Sequence, residues 1–202
     1  MKKKILILAS ALVLAIGWCV QYFNVNHTFA LHDSCDVRWY GMHELINLDN
    51  SMSYGGIDQT GYAFSVENCR IVDAEDFMTE YGKTPDQFSM VPERYLVVTM
   101  NIENHGEGEG SGINFFSLPV MGNSWYTMAD PEATACANPF YNGAQEAYGV
   151  AALEDTSVSV TVVYRLYAFM FPESRWENLE DENMCIWSTV APIQQKVQLQ
   201  FD

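Results

Sequence analysis

Strict alternation of apolar and polar residues is the feature of this chain that most restricts its fold. In "RYLVVTMNIEN", residues 94–104, Leu96, Val98, Met100 and Ile102 fall on one side and Thr99, Asn101 and Glu103 on the other. A period of two is the mark of a strand with one face buried. The pattern returns in "SVSVTVVYRLYAFMF", where Val158, Val160, Val162, Tyr164, Leu166, Ala168 and Met170 share a face. Fifteen residues is long for one strand, so a bend is expected between Tyr164 and Tyr167. "KVQLQF" alternates as well, with Val197, Leu199 and Phe201 inward and Lys196, Gln198 and Gln200 outward. In "GYAFSVENCRIV" the apolar phase changes from Tyr62, Phe64 and Val66 to Cys69 and Ile71, as it does across a bulge near Asn68.

Further strands are expected near 39–47, 113–120, 123–129, 147–153 and 184–190, separated by Gly, Asn and Pro turns. Short strands at regular spacing point to an all-β fold, an immunoglobulin-like antiparallel sandwich of about seven to nine strands. Two short helical insertions accompany it. "DAEDFMTEYG" offers Asp73 as N-cap and Gly82 at the end. "PESRWENLEDE" begins at Pro172.

The first 23 residues are of another kind. Lys2, Lys3 and Lys4 precede an uncharged apolar run from Ile5 to Val20 that trails off through Tyr22 and Phe23. This reads as a retained signal-anchor helix with its N-terminus in the cytoplasm, followed by a tether over 24–38 and an extracytoplasmic domain over 39–202. Cleavage after Ala30, in Thr28-Phe29-Ala30, would release the domain instead. Lipidation at Cys19 is disfavoured by the bulk of Trp18 before it.

Charge narrows the partners. Without the three leading lysines, 7 basic residues face 26 acidic ones, a net of −19. Such a surface repels phosphate backbones and anionic headgroups, so nucleic acid is excluded and contact with the membrane is left to the N-terminal helix. Outside the apolar run stand Cys35, Cys69, Cys136 and Cys185, an even number in a compartment that can oxidise them. Two disulfides are expected among them, in any of three pairings.

Chemical motifs come close and fail. "NIENHGEGEGSGINFF" gathers His105, Glu107 and Glu109 among four glycines, but it sits where a hairpin loop belongs and ordering it to hold a metal would cost backbone entropy. "HELIN" has the first two letters of a zinc helix and Asn47 in place of the second histidine. Ser111 lacks the flanking glycines of a nucleophile elbow. No cofactor or metal is expected. Trp125, Tyr126, Phe140 and Tyr141 flank "ADPEATACANP", read as an end loop that places aromatics beside acids, and they are the candidate partner-binding residues.

The stretches "AEDFMTEYGK", "RYLVVTMNIEN" and "YRLYAFMFPESRWENLEDENMCIWSTVAPIQQKVQL" resemble a bacterial family of membrane-anchored extracytoplasmic proteins catalogued only as a domain of unknown function. The resemblance covers residues 60 to 202 and extends to immunoglobulin-like domains of bacterial surface lipoproteins. It implies the sandwich and brings no catalytic residues with it. The expected function is a cell-surface, non-enzymatic binding or accessory domain with an envelope protein as partner. The competing reading is a cell-envelope hydrolase using paired carboxylates, for which Glu177, Glu180, Asp181 and Glu182 form the densest acidic run.

Overall fold

The computed structural model describes residues 16–22, 36–49, 51–55, 59–106 and 112–201. One sheet has four strands, β2 (Ile46–Asn47), β3 (Tyr62–Asp73), β4 (Arg94–Asn104) and β9 (Thr156–Leu166), side by side in that order. The other has five, in the order β1 (Asp36–Tyr40), β11 (Ile193–Gln198), β10 (Cys185–Thr189), β6 (Val120–Met121) and β7 (Tyr126–Thr127). A small ladder joins β5 (Ile113–Asn114) to β8 (Gly149–Val150).

The alternation read from sequence becomes the interior of a sandwich. Phe64, Ile102 and Val158 stand opposite one another across the antiparallel ladders β3–β4 and β4–β9. Phe64, Met100, Val162 and Tyr164 from the four-stranded sheet meet Val120, Ile186 and Val197 from the five-stranded one in a single apolar cluster. Each large apolar side chain buried there stabilises the fold by about 1.5–3 kcal/mol relative to exposure. Pairing of β3 with β4 slips between Val66 and Asn68. The bulge at Glu67 hands the inward phase from Val66 to Cys69, as the sequence predicts. β9 ends at Leu166, before a 3₁₀ turn at Ala168–Met170, so the expected bend falls at Tyr167.

A second apolar cluster covers the outer face of the four-stranded sheet. There Tyr95, Val97 and Val163 meet Phe77 and Met78 of α1 (Ala74–Glu80) and Ala133 of α2 (Pro131–Ala137). The rings of Phe77 and Tyr95 are 4.4 Å apart. Helix α1 is the predicted one, although the Asp73 side chain makes no cap hydrogen bond. Helix α2 corrects the sequence reading, which took "ADPEATACANP" for a loop. Asp130 accepts from the Glu132 amide at 3.0 Å, Pro131 fills the first turn where its missing N–H costs nothing, and the short run of Ala and Thr continues the helix. The predicted helix after Pro172 breaks into α3 (Glu173–Trp176) and a 3₁₀ turn at Leu179–Asp181. The strand expected over 39–47 divides into β1 and β2, because the chain turns at His43, whose φ is 68°.

Two further expectations change. Of the predicted anchor, residues 1–15 and 23 lie outside the described residues and 16–22 are helical; no helix among the described residues is long and apolar enough to cross a membrane. Cys69, Cys136 and Cys185 carry free thiols rather than disulfides, and Cys35 lies outside the described residues. The reason is layering. Cys69 lies in the core between the sheets, Cys136 beside the helix-covered cluster, and Cys185 on the far side of the five-stranded sheet from that core. Stacked layers sit about 10 Å apart, well beyond the reach of a disulfide.

Candidate functional site

No described element covers the outer face of the five-stranded sheet, and aromatic rings cross it. Inward residues Ile186 and Ser188 of β10 force Trp187 outward, and the register sets it opposite Lys196 of β11. The Lys196 ammonium lies 5.4 Å from the ring centre of Trp187 and 5.4 Å from that of Trp39 on β1. It makes no ion pair among the described residues; the two indole faces hold the charge in place of a carboxylate. Tyr54 extends the row, its ring 6.2 Å from that of Trp187. Trp39 is 57% exposed and Tyr126, at the opposite edge of the sheet, 58%.

The face has two hollows that share Met121. Tyr54, Pro119, Tyr126 and Trp187 line an apolar notch of about 190 Å³. On the other side, Trp39, Lys196, Gln198, Asn123 and Asn183 line a polar trough of about 480 Å³. The thiol of Cys185 forms part of its floor, and burial pushes that thiol's pKa up, away from the reactive thiolate. Gly122 is fixed by packing at the rim. A Cβ there would run into the Trp125 indole.

The four aromatics singled out from sequence separate. Trp125 is only 8% exposed and packs its ring 4.7 Å from that of Phe171, in the core. Tyr141 is half-buried, donates its hydroxyl to the Gly149 carbonyl at 2.8 Å, and has its pKa pushed up to about 12 by burial. Phe140 is exposed but follows α2, which packs on the other sheet. Tyr126 alone belongs to the aromatic face. Trp39, Tyr54, Trp187 and Lys196 escaped the sequence reading. The signal for Trp187 is a large ring in outward phase on a strand, where exposed positions ordinarily hold small or polar groups; Lys196 shows only the ordinary outward phase.

The acids are spread over a cleft of about 410 Å³ where Glu177, Glu180 and Asp181 meet Asp73, Asp76 and Arg94. All five carboxylates are exposed to water, and Asp73 accepts from Arg94 at 2.9 Å. Glu182 is turned away and pairs with Arg175 at 3.2 Å. His105 pairs with Glu103 at 2.9 Å, while Glu107, Glu109 and Ser111 lie outside the described residues. The His43 and Glu44 of "HELIN" stand in a turn, His43 facing Glu67 at 3.2 Å and Glu44 accepting from the Gly41 amide at 2.8 Å. Ser65 also donates to Glu67, and the two hydrogen bonds hold this carboxyl below its ordinary pKa. Among the described residues no three histidine, cysteine or carboxylate side chains are grouped to hold a metal ion.

Two solved structures are similar in outline. An uncharacterised β-sandwich protein of Clostridium difficile 630 aligns over 83% of this chain and 97% of its own, at 9% identity and a TM-score of 0.44. A functionally unknown protein of Listeria monocytogenes EGD-e aligns over 79% and 86%, also at 9% identity and a TM-score of 0.44. No curated protein matches the chain. Residues 37–195, from the first strand to the last, match the family described as domain of unknown function (DUF5028), and the chain belongs to that family.

Proposed function

We propose that the chain is a non-enzymatic recognition domain displayed outside the cell membrane and held there by its apolar N-terminal segment. In this reading the sandwich is an immunoglobulin-like surface module that binds another envelope protein through the outer face of its five-stranded sheet. The observation that carries the proposal is the group of aromatic rings around the notch, the exposed Tyr54 and Tyr126 with the half-buried Trp187 between the two sheet edges. Tyr and Trp dominate the energetic centres of protein interfaces, because large rigid rings bury much area at little entropic cost. The notch between Tyr54 and Tyr126, floored by Met121 and Trp187, has the shape to receive one apolar side chain of a partner. The acidic excess disfavours anionic wall polymers as that partner.

The test is photo-crosslinking in living cells from a probe placed at position 126, followed by identification of the adduct and titration of the purified partner. One partner whose affinity falls at least about tenfold in Tyr126→Ala, with an unchanged melting temperature, is the expected outcome. An affinity indifferent to Tyr126→Ala and Tyr54→Ala ends the proposal. Sequencing the mature N-terminus tests the placement separately, since a start at Leu31 means the domain is released.

A further inference from the structure

We infer that the trough beside the notch is a saccharide-binding subsite, with Trp39 as its stacking platform. In a chain with 26 acidic residues the trough is lined by no carboxylate and by one base, Lys196. A polyanion is repelled by the domain as a whole, and a polycation finds no counter-charge in the trough, which leaves a ligand that is neutral or carries one carboxylate. Its remaining chemistry is specific. Asn123 and Asn183 are exposed side-chain amides with no hydrogen bond to any described residue. Each offers two donors and an acceptor, a match for the paired hydroxyls of a sugar. The Gln198 amide is held at the edge by its hydrogen bond to the Met184 carbonyl at 3.1 Å.

Trp39 is 57% exposed, and the face of its ring not taken by Lys196 supplies what a peptide groove does not need: a flat, electron-rich surface onto which the weakly positive C–H groups of a pyranose ring can lie. Lys196 bears on the other face of the problem, since the indoles fix its ammonium where it can reach a ring oxygen or a single carboxylate. At about 480 Å³ the hollow falls in the range of small-ligand sites and has room for a short oligosaccharide. This inference does not require the protein partner proposed above, because the notch and the trough have separate linings apart from Met121.

The experiment titrates the full chain with cellotriose, with the trimer of N-acetylglucosamine and with a proline-rich decapeptide, followed by calorimetry and tryptophan fluorescence. Saturable binding of either sugar with a Kd on the order of 1 mM or tighter is expected. Trp39→Ala should weaken it at least about tenfold, Trp39→Phe less, and Tyr126→Ala not at all. Absence of sugar binding, or binding that is the same in Trp39→Ala and Trp39→Phe as in the parent, overturns the inference. Decapeptide binding lost in Trp39→Ala, without sugar binding, also overturns it and gives the trough to a peptide. Loss of partner capture in Tyr126→Ala with sugar binding intact separates the two proposals.

Discussion

Asp130 does two jobs with one carboxylate. Its side chain is fully buried, caps α2 through the Glu132 amide, and takes a bidentate pair from Arg165 at 2.6 and 2.9 Å. Asp130→Ala should therefore cost about 3 kcal/mol, read as a lowered urea midpoint, because it uncaps the helix and leaves Arg165 only its longer contact with Glu132 at 3.3 Å. Tyr141 shares the alkaline limit with Tyr95 and Tyr164, three phenols whose pKa burial pushes up. Its folded pKa of about 12 lies above the ordinary 10, so its contribution is complete below pH 10 and is lost as pH rises toward 12. Tyr141→Phe should remove its share of that alkaline fall, leaving that of Tyr95 and Tyr164, while at pH 7 losing about 1 kcal/mol with the hydrogen bond to Gly149. At the acid end Glu67 works with the opposite sign. Its lowered pKa gives stability that is present above pH 4.5 and lost as pH falls below it, and Glu67→Gln should remove that part of the acid sensitivity.

Among the elements, β9 shows how a sheet edge is closed without another long strand. The Asn138 amide donates to the Thr161 carbonyl and accepts from its N–H, at 2.7 and 2.8 Å, imitating a neighbouring backbone. Thr134 accepts from the Val163 amide, the Asp130 amide donates to the Val163 carbonyl, and Thr127 donates to the Arg165 carbonyl. Open edges invite other chains to pair with them. Asn138→Ala should lower stability by about 1–3 kcal/mol and raise light scattering on mild heating, both followed in one thermal scan. None of this was legible in the sequence, because Asn138 and Thr161 are 23 residues apart and nothing local announces that an amide will stand in for a strand. What was legible rests on local period: the faces of β4, β9 and β11, the bulge in β3 and helix α1 all follow from alternation or capping residues. Helix α2 was missed because its seven residues leave no periodic stripe, only Asp-Pro at its start. Trp187 opposite Lys196 was missed because register is a property of two strands, whereas outward phase is a property of one.

At the scale of the molecule the sandwich is lopsided among its described residues, with helices over one outer face and aromatic rings on the other. Its three described thiols within the fold lie in three layers, so no disulfide joins any two of them. Melting the chain with and without reductant should give the same temperature, and a drop on reduction would mean that a cross-link holds the native state. The lopsidedness extends to the order of the strands. β1 lies at the edge of the five-stranded sheet, with β11 its one neighbour among the described strands, and is the first strand of the fold. Trp39 stands on it three residues after Asp36. If the N-terminal segment is held and a ligand sits in the trough, pulling loads β1 first, because β1 carries Trp39 and stands at the sheet edge, while the long ladders of β3, β4 and β9 belong to the other sheet. The grip can therefore slip or hold by the peeling of one edge strand, as a tear-off tab does, while the body of the sandwich stays intact.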